Sequence, residues 1–405
     1  MRADVRGPLA ETAAGAIAAD VLKACVHCGF CNATCPTFQI TGDELDGPRG
    51  RIYLIKQALE GEPVSRLTQH HLDRCLSCRA CETTCPSGVE YHRLLDVGRA
   101  EIATQVARPW HERLARQTIR FLTGHRQLLR ALLILGRKIP AAQPKRPVKP
   151  TAVAQSRKMS LLTGCVQSAA APHFNASTTR VFAAVSIGLT ETSAARCCGA
   201  VAFHLDAADE ARAHVRRNID AWITELDAGS EAIVVNASGC ATFIRDYPDV
   251  LADDPEYAAK ARRVAQAVRD PVEVLQETPP TASSAPANPR IAVHDPCTLR
   301  NGPGLEGAVA RLLSGLGYEP QPVADTHLCC GSAGSYSLLQ PKLSRRLRSD
   351  KLDALTASAP DVIYTANIGC WMHLGEASST PVRHWIEAVE AVLGTQQDIQ
   401  TQETP

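Results

Sequence analysis

Aromatic residues make up only 4% of the 405-residue chain, too few to build an extended base-stacking platform. No sign of charge dominates either, with 43 Lys and Arg against 42 Asp and Glu for a net charge of +1. The chain thus has no overall electrostatic reason to bind nucleic acid. No apolar run reaches the ~18 residues that a membrane-spanning helix needs. The first 23 residues carry Asp4, Glu11 and Asp20 where a signal peptide would have its apolar core. The expected location is therefore the cytoplasm, where thiols stay reduced. Cysteine, by contrast, is abundant, at sixteen residues. In a reducing compartment that number points to metal or redox chemistry before structural disulfides. The length leaves room for two or three domains.

The sixteen cysteines fall into four groups of four. The first is Cys25, Cys28, Cys31 and Cys35, followed by Pro36, and the second is Cys75, Cys78, Cys81 and Cys85, followed by Pro86. Both read C-x2-C-x2-C-x3-C-P, the run that holds two [4Fe–4S] clusters in bacterial ferredoxins. Three closely spaced thiolates wrap one cluster, and the fourth, set off by a proline-bounded turn, reaches the other. The expected ligand sets are Cys25, Cys28, Cys31 and Cys85 for one cluster, and Cys75, Cys78, Cys81 and Cys35 for the other. Zinc sites favour paired C-x2-C knuckles across a longer loop, which fits this spacing poorly. Gly29, Ala33, Ala80, Thr83 and Thr84 are small enough to let backbone N–H groups approach sulfide, which raises cluster potentials. His27 reads as a residue on the surface of its loop.

The other eight cysteines form an internal repeat. Cys165, Cys197-Cys198-Gly199 and Cys240 are matched by Cys297, Cys329-Cys330-Gly331 and Cys370, with corresponding cysteines 132, 132, 132 and 130 residues apart. So constant a register implies two copies of one unit. Each copy reads as strand, helix, Cys-Cys-Gly loop, helix, strand. Helical periodicity spans 206–226 in copy one and 338–355 in copy two. Short apolar runs at 232–235, 290–293 and 362–364 read as buried parallel strands. That alternation argues an α/β sheet in each copy, with cysteines at the C-terminal strand ends where such sheets bind ligands. The expected fold is a mainly helical two-[4Fe–4S] ferredoxin-like domain followed by two α/β CCG domains related by pseudo-twofold symmetry. The expected boundaries are 1–140 for the front domain, 159–277 for copy one and 290–393 for copy two. Pro- and Ala-rich linkers fall at 141–158 and 278–289, and a polar, disordered tail at 394–405.

The occupant of the Cys-Cys-Gly units stays open at this level. Four cysteines per copy suffice for a further iron–sulfur centre, satisfy tetrahedral zinc, or allow a strained vicinal disulfide. The run Gly302 to Gly307 matches G-x-G-x-x-G, but Pro303 removes an amide that would contact phosphate. The stretch 110–139 reads as one basic helix, with Arg113, Arg116, Arg120, Arg126, Arg130, Arg137 and Lys138 opposite an apolar stripe. Either it docks on an anionic membrane or acidic partner, or its apolar side packs on the front domain and its basic face is solvated. The second reading is the expectation.

The run Cys25-Val26-His27-Cys28-Gly29-Phe30-Cys31, the stretch Gly42 to Tyr53 and Cys75 to Pro86, with the two Cys-Cys-Gly units, resemble the iron–sulfur subunits of bacterial glycolate oxidase. The resemblance implies electron transfer within an oxidoreductase complex on the inner face of the cytoplasmic membrane. Flavoprotein subunits would oxidise glycolate to glyoxylate, and this chain, with no substrate site of its own, would pass electrons towards the respiratory quinone pool. Related iron–sulfur subunits serve glycerol-3-phosphate and D-lactate dehydrogenases, and a thiol-disulfide reductase acting through the Cys-Cys-Gly loops is a rival reading. Heterodisulfide reductases close each unit with C-x-x-C. Here Phe243 and His373 stand at the last position, so five-thiolate coordination is absent. His373 reads as a structural residue packed beside Trp371.

Overall fold

The computed structural model describes residues 1–136, 157–287 and 290–393. The expected tail at 394–405, the first linker up to residue 156 and the end of the basic segment at 137–139 lie outside the described residues. The front domain is built from helices with the two cysteine runs between them. Its core joins Ala18, Leu22, Ile52, Ile55, Leu94 and Leu95. Helix Pro48–Leu59 lies against helix Tyr91–Gln105. They approach closely at Gly98, where a Cβ would come 2.6 Å from Ile55.

Each repeat is a four-stranded, wholly parallel sheet. Copy one contains β1 (Arg157–Leu161), β2 (Ile187–Glu191), β3 (Ile233–Val234) and β4 (Val268–Arg269) in the order β2-β1-β3-β4. Copy two contains β5 (Arg290–His294), β6 (Glu319–Pro320), β7 (Val362–Thr365) and β8 (Val382–His384) in the order β6-β5-β7-β8. The matching order bears out two copies of one unit. The second and fourth strands of each sheet were not anticipated, and β1 begins inside the expected first linker.

The copies pack reciprocally. Helix Pro172–Ala184, after β1, lies on Trp385–Val392 of copy two, and Ala308–Gly315, after β5, lies on Pro271–Glu277 of copy one. Such an exchange of like for like is what a twofold relation produces. One apolar core results, holding Leu161, Val181 and Phe182 with Ile291, Leu313 and Trp385. The Cys240 helix, Ser238–Arg245, meets the Cys297 helix, Cys297–Arg300, so the cysteine loops gather near this axis. The stretch 278–287 is no free linker, since Ser283 N donates to Val392 O at 2.8 Å.

Two helical expectations need correction. The helix expected at 338–355 is two, Tyr336–Leu339 and Pro341–Thr356, because a proline ring disfavours helix in the residue before it. The basic segment is likewise two helices, Trp110–Gly124 and Arg126–Leu135, broken at His125. Its first helix also faces the opposite way from the expected one. Arg116 is 8% exposed and pairs with Asp73 at 3.3 Å and Asp206 at 3.2 Å. Arg120 pairs with Glu210 at 2.6 Å. The apolar residues Trp110, Leu114, Phe121, Leu128, Leu132 and Leu135 are exposed. Acidic partners on the front domain (Asp73) and on copy one (Asp206 and Glu210) capture these two arginines, which turns the greasy side outward.

Candidate metal centres

The front runs share one backbone path. His27 and Gly29 have φ of 58° and 89°, and Ser77 and Arg79, at the same places in the second run, have φ of 52° and 59°. Left-handed residues at alternate positions favour a turn whose N–H groups line a concave nest for an anion. At Gly29 a Cβ would lie 2.6 Å from Arg49 Nη1, so a side chain there would have to displace the end of that arginine. Arg79 adopts the same conformation and sends its guanidinium to Asp246 of copy one.

Two small cavities lie beside these nests. Cys25, Cys28, Cys31, Cys81 and Cys85 line the first, and Cys35, Cys75, Cys78 and Cys81 line the second. The fourth cysteine of each run thus faces the cavity of the other. Burial pushes the Cys31 thiol up to about 11, and the nearby Cys25 adds to the effect. Cys78 and Cys81 are pushed well above the ordinary thiol value by burial, then by neighbouring sulfurs. Thiolates so crowded and so poorly solvated need a cation among them. The sulfurs and the inward-turned amides therefore fit two iron–sulfur clusters.

The stretch Gly42 to Tyr53 supports the second cavity with buried charge. Asp46 accepts from His71 Nδ1 at 2.8 Å and Arg74 Nη1 at 2.6 Å, and Arg51 Nη2 lies 3.6 Å away. Arg51 is itself buried, donates from Nε to His71 O at 2.8 Å, and feels the sulfurs of Cys75 and Cys35. The sequence reading missed this network, although Asp46 and Arg51, in a D-x-x-R-x-R pattern so near the cysteines, were its visible sign.

In copy one, Cys165 hydrogen-bonds Cys197, which touches Cys198, which touches Cys240. Copy two repeats the chain from Cys297 through Cys329 and Cys330 to Cys370, with Cys330 and Cys370 sulfurs 3.2 Å apart. All eight Cys-Cys-Gly cysteines are thus brought together in two sets of four. The adjacent cysteines of both copies are buried, as is Cys370, while Cys165, Cys240 and Cys297 are half-buried. Copy two also borders the front domain, where Asn301 Nδ2 donates to Cys78 O at 2.7 Å and Cys78 feels Cys297. His373 is engaged elsewhere, with a ring nitrogen 3.0 Å from Ser344 Oγ. The histidine near the copy-two sulfurs is His294, grouped with Cys330 and Cys370. Its sign in the sequence was a polar residue at the repeat position that Leu162 holds in copy one. The glycine run after Cys297 is closed on itself, since Gly307 N donates to Asp295 Oδ2 at 2.7 Å.

These features define an iron–sulfur protein with a dicluster front domain and two cysteine-rich domains. Comparison with known families agrees, matching a 4Fe-4S dicluster domain at residues 21–89 and a cysteine-rich domain at 159–245 and 291–375. The glycolate oxidase iron–sulfur subunit of Escherichia coli (strain K12) is 47% identical over 94% of this chain and 96% of its own length. The chain belongs to that family. A probable glycolate oxidase iron–sulfur subunit of Bacillus subtilis (strain 168) is 29% identical over 86% of the chain and 87% of its own length. Lactate utilization protein A of Bacillus cereus (strain B4264) is 26% identical over 54% of the chain and 90% of its own length.

Proposed function

We propose that this chain is the electron relay of a glycolate-oxidising complex, taking electrons from flavoprotein subunits and passing them towards quinone. The carrying observation is the pair of cysteine-lined cavities, each drawing its fourth sulfur from the opposite run. On this reading Cys25, Cys28, Cys31 and Cys85 hold one [4Fe–4S] cluster, and Cys75, Cys78, Cys81 and Cys35 hold the other. When bound, each cluster supplies one-electron storage. The protein keeps the sulfurs dry, aims backbone amides at them and sets the buried Arg51 beside the second group. The four-cysteine sets of the repeats take further iron–sulfur centres, extending the relay from Cys78 towards Cys297.

The same reading puts the chain at a membrane surface without crossing it. Among the described residues no helix is long and apolar enough to span a bilayer. The outward apolar face ends in Trp110, which is 71% exposed, and Leu135, which is 81% exposed. With the exposed Arg113 and Arg126 nearby, that face suits an anionic lipid surface.

Anaerobically purified protein should carry about eight iron atoms or more, and a preparation dominated by zinc would overturn the cluster reading. Co-purified with its flavoprotein partners, it should support dye reduction with glycolate in preference to D-lactate and glycerol-3-phosphate. Faster reduction with either of those would reassign the substrate. Leu132→Glu with Leu135→Glu should abolish flotation with anionic vesicles, and unchanged flotation would remove the membrane role of this face.

A further inference from the structure

The two cysteine-rich copies share a fold and a cysteine spacing, but they differ at three buried positions around the adjacent cysteines. In copy two a ring nitrogen of His294 and the sulfurs of Cys330 and Cys370 all lie within 4.8 Å of one another. His294 Nδ1 shares a hydrogen bond of 2.9 Å with Thr365 Oγ1, and the two residues are register partners across β5 and β7. The same register in copy one pairs Leu161 with Val234, which makes Leu162 and Val235 the counterparts of His294 and Thr365. Both are buried in an apolar cluster that includes Cys198. An apolar pair in one copy is thus a hydrogen-bonded His–Thr pair in the other.

The third position lies on the helix after each Cys-Cys-Gly loop. Gly199 rests on Ala211 and His214, and Gly331 rests on Ser344 and Leu347, which aligns Asn218 with Lys351. Asn218 Nδ2 donates to Cys197 O at 2.8 Å. Lys351 is buried and donates from Nζ to Asp325 O at 3.0 Å and Thr326 O at 3.3 Å. Copy two therefore sets a cation where copy one sets a neutral amide.

A buried imidazole is costly unless its nitrogens find partners. One nitrogen fixed by a hydroxyl, in a ring that lies against two thiols, is how proteins orient a metal-ligating histidine. We propose that copy two holds a mixed sulfur–nitrogen iron–sulfur centre, with His294 as a ligand beside Cys297, Cys329, Cys330 and Cys370, and that copy one holds an all-thiolate centre. The proposal rests on the reading that the repeats carry clusters. Histidine ligation raises a cluster's potential, and the buried cation of Lys351 acts in the same direction by stabilising added negative charge. Copy two then becomes the higher-potential site of the pair.

The test is pulsed electron paramagnetic resonance on the anaerobically reduced full-length chain. An imidazole nitrogen coupling is expected in the wild type and should vanish in His294→Leu, while the front-cluster signals stay unchanged. Leucine is the residue that copy one already carries there, and His294→Leu with Thr365→Val restores the whole apolar pair should the single change fold poorly. The affected centre's midpoint potential should fall in both variants. A wild type without the coupling, or a coupling that survives in both variants, overturns ligation by His294. A separate arm, Cys330→Ser with Cys370→Ser, should remove iron relative to the wild type. Unchanged metal content, or loss of zinc in place of iron, overturns the cluster reading for copy two itself, independently of His294.

Discussion

Copy one and copy two share a sheet order and a cysteine spacing, yet they hold the front domain by opposite means. Copy one does so with charge. Arg79 pairs with Asp246, Arg93 with Asp249 at 2.8 Å, and Arg108 with Asp206 at 2.7 Å. Copy two does so with apolar surface, packing Tyr336, Leu347 and Cys329 on Leu76, with Ile40, Cys78, Cys297 and Leu343 around them. Ion pairs fix orientation but require charges to leave water. Apolar packing excludes water and allows close approach. The dry contact is also the one that sets repeat cysteines beside a front cysteine, Cys78. One copy therefore reads as the clamp that sets the angle, and the other as the dry face that electrons would cross in the proposed relay.

The largest test asks whether the copies are separable at all. Trp385 is fully buried in the core that both share, and Trp385→Ala should cost about 3–5 kcal/mol. Urea unfolding should show both copies lost in a single transition. Two transitions, with copy one unmoved, would mean that the copies are independent units. Next comes the dry contact. Leu347→Ala should cost about 2–4 kcal/mol and should disturb the magnetic signal of the second front cluster more than that of the first. Asp206→Asn tests the clamp and should have a smaller effect, about 1–2 kcal/mol, because its carboxylate keeps some solvent contact. Added salt should shrink the Asp206 effect and leave the Leu347 effect intact. Equal salt dependence of the two would erase the distinction.

What the sequence disclosed follows from how local each signal is. Ligand spacing is set by a few bonds, so both front runs and the paired Cys-Cys-Gly units were legible at once. Parallel strands with apolar runs, such as Ala232 to Val235, were also legible. Edge strands were not: β4 and β6 are two residues long with no apolar run around them, and β2 mixes two apolar residues with Gly, Thr and Glu. Helices 110–135 misled for a different reason. An apolar stripe ordinarily marks the buried face, and only the distant Asp73, Asp206 and Glu210 reverse it for the first of them. His294 was legible in principle, since the repeat supplies its own comparison residue in Leu162, but that comparison has to be made beyond the cysteines.

The finest difference between the copies is one of pH. The helix after the last strand of each sheet carries a capping box, with Asp270 as its cap in copy one and His384 in copy two. Both caps are fully buried, which favours the neutral form of each, so both are mainly neutral between pH ~4 and ~6.5. Burial pushes the Asp270 carboxyl up to about 7, with Glu273 adding to the effect and Arg245 opposing it, and its Oδ2 has no hydrogen-bond partner among the described residues. Burial pushes His384 down to about 3 against the opposing pull of Asn236 O, with His173 nearby. Between pH ~4 and ~7 the folded chain holds a proton on Asp270 that the unfolded chain has released, so that contribution to stability fades as pH rises. Below pH ~6.5 the unfolded chain protonates His384 while the folded chain does not, so that contribution fades as pH falls. The slopes oppose each other, each at most about 1.4 kcal/mol per pH unit, and largely cancel in the wild type. Asp270→Asn keeps a competent cap and should make the protein lose stability on acidification from pH ~6.5 to ~4.5 faster than the wild type does. His384→Asn should show the reverse slope, and the double variant should restore a flat profile. Anaerobic melting temperatures at three pH values across that window read all four slopes, and parallel profiles for the two single variants would mean that the caps do not titrate in opposition.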